Sequence, residues 1–143
     1  MAADARGGLR ARRTEELDQA ESWRLLASAS LGRVVFTMHA LPAIRPVNHL
    51  VEAQMIIVRS HLGTAITAHA GDDGAVVCYE VDDIDPVTHT GWSVIATGAA
   101  KLVRDTAAVT RYRQLLDPWV AGDLDQIIVI TPQIITGIRL ATL

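Results

Sequence analysis

Pro42-Ala43-Ile44-Arg45-Pro46-Val47-Asn48-His49 alternates small, apolar and polar groups, and it places an arginine and an asparagine where an ordinary strand has no use for them. A second apolar run, Met55-Ile56-Ile57-Val58, ends abruptly in Arg59-Ser60, with Gly63 and Thr64 close behind. A guanidinium binds phosphate bidentately, and hydroxyls and backbone N–H groups complete such a cradle. Two such segments in succession point to a sheet edge that holds an anionic, flat cofactor. Each also has a plain structural use. Arg45 can pair with a carboxylate at the rim of a sheet, Asn48 can cap a turn, and Arg59 can carry the end of a strand to water.

Outward from these segments the texture stays β. Residues 33–38 read as a strand that turns at His39-Ala40-Leu41-Pro42 and returns as a hairpin through residues 43–48. Residues 49–54 read as a turn and residues 55–59 as a third strand. Gly63-Thr64-Ala65-Ile66 supports a short helix or a strand equally. Residues 75–81 are nearly all apolar and are expected to be buried on both faces. After the polar stretch 82–91 comes a long strand, residues 92–103, in which Gly98 signals a bulge or bend. Residues 127–132 and 134–140 read as the last strands. Helices are expected from an N-cap at Thr14 to about residue 29, stopped by Gly32, and over residues 105–116, stopped by Asp117-Pro118. At least six strands joined by hairpin-length connections give a mainly β fold with short flanking helices, a largely antiparallel barrel rather than a doubly wound parallel sheet.

The chain has 143 residues, half of them hydrophobic, and suits a single domain spanning residues 14–143 behind a flexible tail at residues 1–13. Only three Trp, two Tyr and one Phe are present, so Val, Ile, Leu and Ala must fill the core, and apolar surface is available for burial between subunits. The net charge is −3. The arginines at 6, 10, 12 and 13 stand beside Glu15 and Glu16, which reads as a solvated tail or helix start and not as a nucleic-acid surface. No apolar run approaches the roughly 20 residues needed to cross a bilayer, and the first residues lack the apolar stretch of a secretory signal. With Cys78 as the single cysteine, the cytoplasm is the expected compartment and no membrane association is expected.

Further candidates lie in the loops. His89 stands in Asp85-Pro86-Val87-Thr88-His89-Thr90-Gly91-Trp92-Ser93, either as a general acid or base or as a hydrogen-bonding staple. His49 is the other candidate for moving a proton. Trp92 offers a flat face and an N–H donor, suited to stacking on a ring or to plugging a barrel end. Asp117-Pro118-Trp119 reads as a helix stop with a tryptophan cover. The histidines form no metal-ligand spacing, so no metal site is expected.

Gly32-Arg33-Val34-Val35-Phe36, the segment from Pro42 to His49, Ile57-Val58-Arg59-Ser60 and Gly91-Trp92-Ser93-Val94 together resemble the pyridoxamine 5'-phosphate oxidase-like flavin-binding split-barrel proteins. Small actinobacterial members and the nitroimidazole-resistance branch are the most similar in character. The resemblance runs from about residue 25 to 140. It implies a six-stranded antiparallel split barrel and a homodimer with two FMN molecules in clefts between subunits, acting as an oxidoreductase on a small organic molecule. It places Arg45, Pro46, Val47 and Asn48 along the isoalloxazine and ribityl side. Val58, Arg59 and Ser60 approach from the next strand, with Arg59, Ser60 and Thr64 on the phosphate. Trp92 and Ser93 approach from the long strand. Two alternatives keep the fold: a deazaflavin-dependent reductase, and a non-catalytic carrier or sensor of flavin or haem. The chain departs from the vitamin-B6 oxidases by ending soon after the last strand, without their substrate-binding Arg and His, and by having Lys101 as its only lysine. Vitamin-B6 oxidation is therefore not expected.

Overall fold

The computed structural model describes residues 11–68, 71, 73–118 and 125–143. Seven strands and three helices follow in the order β1 (Arg13–Leu17), α1 (Gln19–Ser28), β2 (Leu31–Met38), β3 (Leu41–Glu52), β4 (Met55–Ser60), α2 (Gly63–Ile66), β5 (Ala75–Ile84), β6 (Gly91–Leu102), α3 (Thr106–Leu115) and β7 (Gln126–Ala141). Every pairing is antiparallel. The sheet order is β1-β7-β4-β3-β2-β5-β6, and a further β7–β6 ladder closes it. The result is a six-stranded barrel with β1 as an added strand. The 16-residue β7 makes this possible, because residues 126–130 pair with β4 while residues 128–140 pair with β6. No helix among the described residues is long and apolar enough to cross a membrane.

The β2–β3 hairpin turns on His39 and Ala40, both with positive φ. β3 runs on to Glu52, so the turn expected over residues 49–54 shrinks to Ala53-Gln54. The expected bulge occurs in β6, where the register with β7 shifts between Thr97 and Gly98. A Cβ at Gly98 would lie 2.1 Å from the Thr131 carbonyl oxygen, so only glycine allows this approach. Pro132 faces that irregularity, where its missing N–H does not interrupt the ladder, and the two last strands expected from sequence become one.

Three further expectations are corrected. Residues 13–17 form a strand on β7 and not the first turn of a helix, and Arg12 donates to the Thr88 carbonyl at 3.0 Å. α1 starts later, with Asp18 as its N-cap accepting from the Glu21 N–H at 2.8 Å. β5 is buried on one face only: Val77, Tyr79 and Val81 point inward, whereas Val76 is 74% exposed. Residues 63–66 resolve as the short helix α2.

The interior is filled by inward positions of six strands, among them Val34, Phe36, Val47, Ile56, Val58, Tyr79, Val94 and Ile128, together with Leu25 and Leu26 of α1 and Ile66 of α2. α3 packs on the outside of the barrel, where Tyr112 and Leu116 join Ile57 and Ile127.

Candidate functional site

Antiparallel register sets Asn48 of β3 directly across from Arg59 of β4, so the two side chains share one face. Both reach the C-terminal end of α3, where the last carbonyls of a helix lack intrahelical partners. Asn48 Nδ2 donates to the Asp117 carbonyl at 2.7 Å. Arg59 Nη1 donates to the carbonyls of Arg113, at 2.9 Å, and Leu116. Arg59 Nε donates to the carboxylate of Asp125, which immediately precedes β7. The two side chains of this ion pair are only 13% and 14% exposed. Sequence reasoning missed Asp125. Its only signal is positional: Ser60 pairs with Gln126, which brings the preceding residue of β7 beside Arg59.

A cavity of about 210 Å³ opens at this junction, lined by Arg45, Pro46, Val47, Asn48, Arg59, Ser60, His61, Leu62 and Asp125. Arg45 is exposed, and its Nη1 donates to the Ile44 carbonyl at 2.7 Å. Ser60 is buried and its Oγ accepts from the Leu62 N–H at 3.0 Å, so the hydroxyl hydrogen remains to donate elsewhere. Two guanidinium groups and one carboxylate leave the cavity with one net positive charge. Such a wall can hold a phosphate ester by charge and by hydroxyl donation, beside a strand whose backbone offers N–H and C=O groups to a flat ring.

The structure therefore brings six of the expected cofactor residues together. Four stand elsewhere. Val58 points into the barrel core and is 1% exposed. Thr64 is tied to Gln126: its N–H donates to Gln126 Oε1 at 2.9 Å, and Gln126 Nε2 donates to Thr64 Oγ1 at 3.1 Å. It lines a neighbouring cavity of about 440 Å³ with Thr37, Met38, His39, His61, Leu62, Ala65 and Ala68. Trp92 is buried and forms part of a third cleft, with Ser28, Ser30, Arg33, Asp82 and Asp83. Ser93 is half-buried on β6 opposite Asp82. Beside that third cleft, the Glu80 carboxyl is pushed up to about 7, first by burial and then by its neighbour Asp82, and its Oε1 is buried without a hydrogen-bond partner.

His49 is a core residue. It is 4% exposed, and both ring nitrogens are engaged. The Leu26 carbonyl lies 3.0 Å from Nε2 and can only accept, so Nε2 carries the hydrogen. Nδ1 then accepts from the Tyr79 hydroxyl at 2.6 Å. Burial holds the imidazole below its ordinary pKa, against the Leu26 and Ala29 carbonyls that favour the charged ring. Buried and fully bonded, His49 has no nitrogen to offer a substrate. Burial likewise keeps the Tyr79 phenol protonated. His89 is exposed, at φ 58, in a loop stapled by Asp85, whose Oδ1 accepts from the Val87 N–H at 2.7 Å. The His89 N–H donates to the Asp85 carbonyl at 2.8 Å, and His89 does not line the Arg45–Ser60 cavity. Trp119 falls outside the described residues.

Comparisons with known proteins agree with this architecture. A protein of Mycobacterium tuberculosis (strain ATCC 25618 / H37Rv), the uncharacterized protein Rv0080, is 51% identical over 133 residues, covering 91% of this chain and 88% of that protein. The FAD binding protein from Mycobacterium smegmatis superposes with a TM-score of 0.67 at 32% identity, covering 88% of this chain and 97% of that one. A conserved protein of unknown function from Corynebacterium diphtheriae superposes with a TM-score of 0.70 at 27% identity, covering 90% and 98%. The sequence pattern of the family described as pyridoxamine 5'-phosphate oxidase matches residues 18–139. With that match and the closed antiparallel barrel, this chain belongs to the pyridoxamine 5'-phosphate oxidase family.

Proposed function

We propose that the protein is a cytoplasmic flavin-binding oxidoreductase that acts as a homodimer on a small organic substrate. The observation that carries this reading is the convergence of Arg45, Asn48, Arg59 and Ser60 on one positively charged cavity at the β3–β4 edge. The donor set fits a flavin held by its ribityl phosphate, for which FMN is the minimal form. Arg45, Arg59 and Ser60 hold the phosphate, while the Arg45–Asn48 backbone lies along the ring. When bound, the flavin supplies two-electron redox chemistry. The chain supplies orientation, charge neutralisation and a partly dry wall. The flavin-binding M. smegmatis relative supports the cofactor class.

A second copy is part of this reading because one outer face of the barrel is uncovered. Ile44 (52% exposed), Val76, Ile84, Ile95, Ile134 and Ile138 stand out from β3, β5, β6 and β7, away from α3. Exposed apolar side chains gathered on one face are what a subunit interface would bury.

The test is an absorption spectrum of the purified protein, followed by mass analysis of what denaturation releases. A flavin spectrum and a released flavin are expected, as is reduction of the bound flavin by a nicotinamide nucleotide and reoxidation by an organic acceptor. Protein that stays colourless after FMN is added overturns the reading. Bound flavin that no nicotinamide nucleotide reduces makes the protein a carrier instead of an enzyme.

A further inference from the structure

Ladder register fixes what the outer face of the barrel presents, because residues directly across an antiparallel pair share a face. Ile44, Val35, Cys78, Thr97 and Ile134 stand in one row across β3, β2, β5, β6 and β7, and that row carries no charge. The next row on the same face reads Pro46, Arg33, Glu80, Ile95 and Thr136. Glu80 thus lies on the middle strand of five. The uncharged row is on one side of it, and Asp82, opposite Ser93, is on the other. Among the described residues, the titratable or charged groups that face Glu80 are Arg33 of β2 and, on β5 itself, Asp82 and the Cys78 thiol, which pairs with Thr97 Oγ1 at 3.4 Å. β6 and β7 present only Ser93, Ile95, Thr97, Thr136 and Ile138 to it. Asp83 alternates to the opposite face, across from Trp92. Arg33 is shared with Asp82, whose Oδ2 lies 3.8 Å from Nη1. One cation therefore serves two carboxyl groups, and Glu80 Oε1 is buried without a hydrogen-bond partner. Burial, and then Asp82, already push the Glu80 carboxyl up to about 7 in the single chain.

A two-fold contact sets the same patch of both copies together. Arg33 and Asp82 have opposite signs, so each copy offers the other a complementary pair. Glu80 has no second cation to meet. Covered by another copy while ionised, it would be a buried and unpaired carboxylate, which is costly, so coverage favours its protonated form. We propose that two copies of this chain associate through this face with both Glu80 carboxyls protonated, so that ionisation of Glu80 releases the monomers. This gate rests on the homodimer proposed above, and it adds a direction: association takes up protons, and the dimer weakens as pH rises.

Sedimentation equilibrium over a dilution series, at about pH 6 and about pH 8.5 and one ionic strength, brackets the Glu80 titration and tests the gate. With two protons entering per dimer, the dissociation constant can rise by up to about a hundredfold per pH unit above the titration of the free chain, and a rise of at least about tenfold is expected between the two conditions. Glu80→Gln keeps the shape and removes the charge, so it should dimerise at both pH values within about twofold of wild type at the lower one. Ile134→Asp, at an exposed position in the uncharged row, should weaken the dimer at least about tenfold at both, with its circular dichroism unchanged. A wild-type dimer equally resistant to dilution at both pH values overturns the gate and leaves the homodimer standing. So does a Glu80→Gln variant that keeps the wild-type pH dependence. A dimer indifferent to Ile134→Asp overturns the choice of this face. A wild-type chain that is monomeric at both pH values overturns the homodimer reading itself.

Discussion

Replacing Asp125 by asparagine separates the two demands placed on Arg59. In the unliganded protein the guanidinium serves Asp125 and the carbonyls of Arg113 and Leu116. In the proposed complex it also faces a phosphate. Asparagine keeps the size and one acceptor oxygen, so the Arg59 Nε bond survives as a neutral one. Charge-assisted bonds are about twice as strong as neutral ones, so the unliganded variant should lose about 1 kcal/mol of stability. The effect on binding has the opposite sign. Asp125 repels a phosphate, and charges about 8 Å apart at an effective dielectric of about 20 interact by roughly 2 kcal/mol per unit charge. Solvent at the cavity mouth reduces that to about 1 kcal/mol, a gain of roughly fivefold in affinity. Arg59→Ala should move the other way, losing about 1.5–3 kcal/mol of contact with the ligand. The assay is a flavin titration of each variant by calorimetry, paired with urea denaturation without ligand. If Asp125→Asn binds flavin more weakly than wild type, or if Arg59→Ala binds it equally well, the assignment of Arg59 to the phosphate is refuted.

A Cβ at Gly32 would lie 2.4 Å from Tyr79 Cζ and 2.5 Å from its hydroxyl oxygen. Gly32→Ala should displace the phenol from His49, and overpacking together with the lost buried hydrogen bond should cost about 2–5 kcal/mol by urea denaturation. In a Tyr79→Phe background the cost should be smaller, and equal costs in both backgrounds would show that the hydrogen bond is not involved. Glu80 gives a pH dependence. Its carboxyl titrates near 7 in the folded chain against an ordinary 4.5, so the folded state binds the extra proton between these values. Stability from this group is complete below about pH 4.5 and is lost as pH rises through 7. Discounted for solvent screening, the loss is about 1 kcal/mol, or roughly 2–4 °C in melting temperature. Glu80→Gln should therefore melt higher than wild type at pH 8, with the advantage gone at pH 5; an advantage independent of pH would mean that titration is not the cause.

The β texture, the β2–β3 hairpin, the Gly98 bulge and the α3 helix were legible because each depends on local chemistry: period-2 alternation, turn residues, a missing Cβ and the Asp117-Pro118 stop. β1 was not. Arg13-Thr14-Glu15-Glu16-Leu17 has helix-forming glutamates, but the free edge of β7 recruits it as a strand, so tertiary pairing overrides propensity. At the site, the sequence singled out Arg45, Asn48, Arg59 and Ser60, which line one cavity, and the strand period shows why the expected residues do not all share one face. Val58 and Arg59 are consecutive in β4 and point to opposite faces, and the same holds for Trp92 and Ser93 in β6. Once Arg59 faces α3, Val58 must enter the core. The Arg59–Asp125 pair spans 66 residues of sequence, and only barrel closure creates it.

That pair also bears on how the proposed phosphate site would be preorganised. A free arginine loses side-chain entropy when it grips a ligand. Arg59 has already lost it in folding, because Asp125 and two α3 carbonyls fix its guanidinium. Asn48, one register step across the ladder, is fixed by the Asp117 carbonyl in the same way. The outer helix thus does more than cover apolar surface on β4 and β7. Its carbonyl end orients the polar groups of the cavity, and Asp125 offsets part of their charge; in the proposed complex these groups would face the phosphate. Loosening the end of α3 should therefore weaken ligand binding without touching any residue that meets the ligand. Breaking the Tyr112–Leu116 packing, by Leu116→Ala, is the direct way to see it: a core truncation costs about 2–5 kcal/mol in stability, and flavin affinity should fall with it even under conditions where the variant remains fully folded.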